Sequence, residues 1–196
     1  ISINPGHRQE FWYRNCVAVG MSAGFLEPLE ASALVLVELS AEMLSEQLPV
    51  TRDTMDIVAR RFNEKFRYRW DRVIDFLKLH YVLSERRDTD FWVENRDEQS
   101  IPDSLEELLT LWRRHYPVNA DFSQIGEVFS AASYQYVLYG MGFETVPGPA
   151  TSRPLPDSEA ERMFAENAEN TRKMLAGLPS NRKLINTIKE SGLRAA

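Results

Sequence analysis

The chain has 196 residues, 43% of them apolar, and a formal net charge of -6. That length supports one buried core or at most two domains, and the acidic balance offers no basic field to a nucleic-acid backbone, which sets DNA and RNA binding aside. One cysteine, Cys16, excludes an intramolecular disulfide, and no CxxC pair or Cys/His cluster points to structural zinc. No metal is expected, and a reducing, cytoplasmic setting is. The opening Ile1-Ser2-Ile3-Asn4-Pro5-Gly6 lacks an initiator Met, a charged n-region and an apolar core, so it reads as the interior of a longer protein rather than a signal peptide. The longest apolar run, Ala31 to Leu39, holds Ser32 and Glu38 and falls short of the ~20 residues that cross a bilayer, so a soluble protein is expected.

Asn15-Cys16-Val17-Ala18-Val19-Gly20 predicts one short buried strand ending on glycine. After Pro28, a helix over Glu30 to Gln47 is apolar almost all round its first half, as in a larger body. Pro49 breaks it, and Thr51 is the expected N-cap of a long helix. Along that helix Met55, Val58, Phe62, Phe66, Trp70, Val73, Leu77 and Tyr81 recur at three- and four-residue steps. Arg60, Arg61, Glu64, Lys65, Arg67, Arg69 and Asp71 between them read as its solvated face. Asp103-x-x-Glu106 after Pro102 reads as a capping box opening a helix through Leu105, Leu108, Leu109 and Trp112, which Pro117 stops. A helix over Ile125 to Tyr139 ends in Gly140-Met141-Gly142. Pro147, Gly148, Pro149, Pro154 and Pro156 mark a linker. From Asp157 an amphipathic helix resumes through Met163, Phe164, Met174 and Leu175, and Ser180-Asn181 starts a last one.

Chemistry concentrates between Asn15 and Leu34, which run strand, small-residue turn, proline and helix start. Gly20, Ala23 and Gly24 let backbone approach a bulky ligand. A helix beginning near Glu30 to Ser32 aims unpaired N–H groups and a positive dipole end forward. Such a tip suits a halide ion or the electron-rich pyrimidine edge of a reduced flavin. The bland readings stand beside these: a strand–turn–helix is common, a glycine after a strand is ordinarily a turn, and Glu27 and Glu30 suit a first helical turn as dipole partners. His7, His80 and His115 show no metal-ligand spacing and read as packing or surface histidines.

Cys-Val-Ala-Val-Gly-Met-Ser-Ala-Gly-Phe-Leu-Glu-Pro-Leu-Glu-Ala-Ser, from Cys16 to Ser32, resembles the signature of flavin-dependent tryptophan halogenases, whose usual wording is close to Asn-Cys-Val-Ala-Ile-Gly-Leu-Ser-x-x-Phe-Leu-Glu-Pro-Leu-Glu-Ser-Thr. The blocks Tyr68 to Tyr81, Arg87-Asp88-Thr89-Asp90-Phe91-Trp92 and Leu138-Tyr139-Gly140-Met141-Gly142 are similar to further family motifs, so the likeness reaches about Phe143.

The resemblance implies a mainly α chain with one short strand near its N-terminus, the C-terminal helical part of an FAD-dependent monooxygenase-like (Rossmann-type) α/β fold. It divides the chain into residues 1–34 at the FAD and halide region, a substrate-side helical body over 35–143, the linker over 144–156 and C-terminal helices over 157–196 packing on the body. In this family reduced FAD, oxygen and chloride or bromide generate a halogenating species that travels through a tunnel to the organic substrate, where a lysine and a glutamate wait. The glutamate of Pro-Leu-Glu falls on Glu30, to polarise that species or take the proton lost from the ring. Backbone N–H groups of Ser32 and Ala33 would hold the halide, although Ala33 lacks glycine's freedom at positive φ. Gly20, Met21, Ser22, Ala33 and Leu34 would lie along FAD, and Tyr134 and Tyr136 are candidates to meet a bound indole while fitting equally as core.

Ala31-Ser32-Ala33 in place of the commoner Ser-Thr-Gly resembles a subgroup that takes free indoles or other aromatics, so tryptophan, indole and related aromatics all stand as substrates. A flavin reductase is the implied partner, and a homodimer is compatible. The family's GxGxxG turn, lysine and WxWxIP motif belong upstream and are absent here, so these residues alone are not expected to halogenate. A hydroxylating flavin monooxygenase and a non-catalytic helical ligand- or partner-binding module remain the other readings.

Overall fold

The computed structural model describes residues 5–124, 126–146, 148 and 156–192. They fall into two units, Ile1–Thr151 and Ser152–Ala196. The first begins with two small antiparallel pairs: β1 (Gly6–His7) with β4 (Gly24–Phe25), and β2 (Trp12–Tyr13) with β3 (Cys16–Val17). The single strand expected over residues 15–20 is therefore corrected. Only Cys16–Val17 is strand, because its partner is two residues long, and beyond it the chain turns into a 3-10 turn at Gly20–Ser22. Gly24 permits the first pairing, since a Cβ there would sit 2.7 Å from His7 Cβ and 2.8 Å from Gly6 O.

Two long helices follow, α1 (Ser32–Gln47) and α2 (Arg52–Leu83), the second capped at Thr51 as expected but without a side-chain bond. In α1 the buried residues are Ser32, Leu36, Ser40 and Met43, a single stripe at about one-turn steps. Leu34 is 80% and Val37 37% exposed, so the apolar first half of α1 is covered on one side only, as suits a helix read as packing in a larger body. The predicted α2 stripe does face inward: Phe62, Phe66, Trp70, Val73 and Leu77 are buried. On the face read as solvated, Arg60, Arg61, Glu64, Arg67 and Asp71 are exposed, but Arg69 is buried over the Phe66 ring.

Beyond α2 come α3 (Asp90–Glu94), α4 (Asp103–Trp112) and α5 (Ala131–Gly140). The short α3 carried no periodic signal in the sequence. Asp103 is the first residue of α4 rather than its cap, and Pro102 occupies the cap position with no side-chain bond. The Asp103–Glu106 capping box is thus replaced by two acids in the first turn, where they face the positive dipole end. α5 starts later than predicted: Ser130 accepts a bond from Ser133 N and caps it, while Ile125 lies outside the described residues. Of the expected linker, Pro147, Pro149 and Pro154 also lie outside them.

Two cores hang on α2. One joins Phe11, Trp12, Leu36, Met43, Phe62, Phe66 and Trp70, and the other joins Phe76 and Leu79 to Leu105, Trp112, Phe122, Tyr134 and Leu138. Asn63 ties the β2–β3 hairpin to α2, its Oδ1 accepting from Phe11 N and Trp12 N at 2.8 Å each and its Nδ2 donating to Trp12 O at 2.9 Å. The second unit holds α6 (Asp157–Gly177) and α7 (Asn181–Ser191), the latter capped by Ser180. Among the described residues no helix is long and apolar enough to cross a membrane.

Candidate functional site

Pro28 ends the extended segment after β4, and Leu29–Ala31 form a 3-10 turn that Glu30 interrupts at φ 64, ψ 2. Ala31 follows at φ 51, ψ 32. Left-handed backbone costs a residue with a Cβ roughly 1–2 kcal/mol, and such strain gathers where surrounding structure fixes a functional side chain. The positive φ anticipated at Ala33 is therefore found two and three residues earlier. Ser32 is already right-handed at φ -67, and Ala33 lies inside α1.

This bend brings Glu30 to the last turn of α2. Glu30 Oε1 lies 3.3 Å from His80 Nε2, and His80 Nδ1 lies 2.8 Å from the Phe76 carbonyl oxygen. Next along α2, the Tyr81 hydroxyl donates to Glu27 Oε1 at 2.5 Å. Burial, and then Glu27, push the Tyr81 phenol up. Two consecutive residues of one helix thus hold the glutamates on either side of Pro28. The sequence singled out Glu30 but read His80 as a packing histidine. His7 is one, stacked on Phe11 and Trp70 at 5.9 and 5.6 Å.

Glu30 and His80 form one rim of a concavity of about 790 Å³ whose other wall is α5, through Gln135, Tyr136 and Tyr139, with Met141 just past its end. Tyr136 stands 84% exposed on that wall. Tyr134 does not reach it. Ala131, Tyr134 and Leu138 are spaced to face one side of α5, which turns Tyr136, two positions from Tyr134, the other way. The Tyr134 ring packs 4.8 Å from Phe76 and 5.2 Å from Trp112, in the core.

At the other end of the bend, α1 begins with no side-chain cap, and Ala33 and Leu34 are exposed in its first turn. First-turn N–H groups of a helix have no partner within it and are open to an anion or a polar ligand edge. Gly20, at φ 62, packs against α1, where a Cβ would lie 3.3 Å from Val37 Cγ2. Met21 is 83% exposed. The Ser22 hydroxyl accepts from Val19 N at 3.0 Å and donates to Val19 O at 2.8 Å, so it closes the turn, and Ser22 O accepts from Arg8 Nε at 2.5 Å. Among the described residues no group of three or more His, Cys, Asp or Glu is placed to hold a metal.

Comparison with known proteins agrees over most of the chain. A family model for tryptophan halogenase matches residues 1–157. The chain is 30% identical to tryptophan 6-halogenase ThaL of Streptomyces albogriseolus over 94% of its own length and 37% of the relative's. It superposes on a tryptophan halogenase from Shewanella frigidimarina with TM-score 0.89 and 45% identity, covering 98% of this chain and 36% of that one. The flavin-dependent halogenase BrvH from Brevundimonas sp. BAL3 gives TM-score 0.75 and 33% identity over 93% of this chain and 36% of its own. The chain therefore spans somewhat more than a third of these relatives, and it belongs to the tryptophan halogenase family.

Proposed function

We propose that these residues are the substrate-side part of a flavin-dependent halogenase that uses reduced FAD, oxygen and chloride or bromide to halogenate tryptophan, indole or a related aromatic. The observation that carries the reading is Glu30, projected by a left-handed turn to the rim of an aromatic-walled concavity. The residues present suit a flavin and a halide: an uncapped helix tip at Ser32 and Ala33, exposed side chains at Ala33 and Leu34, and a glycine that keeps the adjacent Gly20–Ser22 turn close to α1. When bound, reduced flavin supplies the electrons by which oxygen and halide yield an electrophilic halogen.

The work of this chain lies at the acceptor. As the ring carbon forms its bond to halogen, the C–H bond breaks, its electron pair returns to the ring, and Glu30 takes the proton. Tyr136 and Tyr139 supply an aromatic wall for the ring, which suits a flat acceptor. A separate flavin reductase would supply the reduced cofactor.

The test uses the full-length protein with reduced FAD, oxygen, bromide and either tryptophan or indole, the product read by mass. A brominated ring is expected, whereas a hydroxylated one would overturn the halogenase reading. Glu30→Gln should lower turnover by about 100-fold or more while flavin still binds, the span expected for a positioned proton acceptor. Wild-type turnover in that variant would remove Glu30 from the chemistry.

A further inference from the structure

We infer that His80 is a positioning residue for Glu30, and that the two side chains hold one proton between them. The inference rests on Glu30 acting as proposed above. A carbonyl oxygen carries no hydrogen, so in the 2.8 Å contact with Phe76 O the proton sits on His80 Nδ1. A neutral ring with its proton there presents a lone pair at Nε2. Glu30 Oε1 faces that atom at 3.3 Å, and two lone pairs do not hold each other. The contact requires a proton, carried either by the ring as imidazolium beside carboxylate or by Glu30 as an acid beside neutral imidazole.

In both arrangements Oε1 is committed to the ring and the second carboxylate oxygen is left for the acceptor molecule. The ring itself is well fixed, since its Nδ1 is bonded to the previous helical turn and its edge meets the Phe76 ring at 5.1 Å. Around the concavity, α2 contributes His80, the bend contributes Glu30 and α5 contributes the phenols Tyr136 and Tyr139, with no lysine or arginine among the lining residues. Glu27, the nearest other acid on the bend, is taken by Tyr81. Among the described residues lining this concavity, His80 is the basic partner of Glu30. It holds the carboxylate in one rotamer, with one oxygen turned to the ring.

The experiment is steady-state bromination of tryptophan by the full-length holoenzyme. His80→Phe keeps aromatic bulk against Phe76 but removes Nε2, while His80→Gln keeps a donor that cannot ionise. His80→Phe is expected to lower kcat by about 10- to 100-fold, the range seen when a group orienting a reacting ligand is lost, with KM and flavin affinity unchanged. His80→Gln should recover part of kcat, and Glu30→Gln/His80→Phe should be no slower than Glu30→Gln alone.

Wild-type kcat in His80→Phe, or a loss confined to KM, would overturn the inference. If His80→Phe does not fold, kcat and KM of His80→Gln decide on the same terms. An inactive Glu30→Gln beside an unaffected His80→Phe sinks only the role of His80, whereas an active Glu30→Gln sinks the proposed role of Glu30 and this one with it.

Discussion

At Asp75 a carboxyl is 1% exposed on α2, with Arg72 Nη2 2.5 Å from one oxygen and the Ser104 hydroxyl donating at 2.9 and 3.0 Å. Burial pushes it up to about 6 from the ordinary 3.8, against the pull of Arg72 and Ser104. Between those values the folded protein binds the proton more tightly than the unfolded chain. Stability contributed by this group is therefore present at low pH and lost as pH rises through about 6, the reverse of a surface carboxylate. Urea unfolding of wild type and Asp75→Asn at a series of pH values should differ in slope by on the order of 1–3 kcal/mol over pH 4 to 7. Carboxylates elsewhere act on both proteins and cancel, so parallel curves would contradict the raised value. Buried charge at Arg69 was not legible in the sequence, because it sits among charges that read as a solvated face. Glu30 was legible through its Pro-Leu-Glu context. Its partner was not, since nothing in the spacing of His80 points to a residue so far back along the chain.

Among the elements, the long second helix was the most readable, because eight apolar residues at three- and four-residue steps leave little choice of period. The strands were the least readable: pairs of two residues rest on local backbone geometry, such as the close approach at Gly24, rather than on alternation. Helix starts failed where a plausible cap had another option, with Pro102 taking the place given to Asp103 and Ser130 starting α5 late. Tertiary ties between elements are equally hidden, and Asn63 is an example. Asn63→Leu leaves two backbone N–H groups of the β2–β3 hairpin without their acceptor and should cost about 2–6 kcal/mol, at 1–3 kcal/mol for each unsatisfied buried donor. Thermal unfolding checks this. A change below about 0.5 kcal/mol, the scale of an ordinary surface substitution, would mean that water replaces the amide.

At the scale of the first unit, α2 runs about 48 Å at 1.5 Å per residue and belongs to both cores. Phe76 stands where they meet, stacked 3.9 Å from Phe129 and edge-on to Tyr134. Because the shared helix cannot open on one side alone, the two cores should unfold together. Phe76→Ala should lower the opening free energy by about 3–5 kcal/mol, the usual cost of removing a core phenylalanine. Native-state hydrogen exchange should show that loss in the amides of α1 as well as those of α4 and α5. A loss confined to α4 and α5 would mean that the cores are independent.

The grip of Tyr81 on Glu27 and of His80 on Glu30 makes the two sides of the concavity unequal. One rim is anchored through a rigid rod and a strained bend, and small shifts there would displace the carboxylate. The opposite wall is a short helix whose Tyr136 stands exposed at the opening, while the Tyr139 hydroxyl meets Thr145 Oγ1 at 3.2 Å. A designer seeking a new acceptor would vary the α5 wall and leave the bend untouched, so that the proposed specificity drifts while Glu30, the proposed proton acceptor, keeps its place.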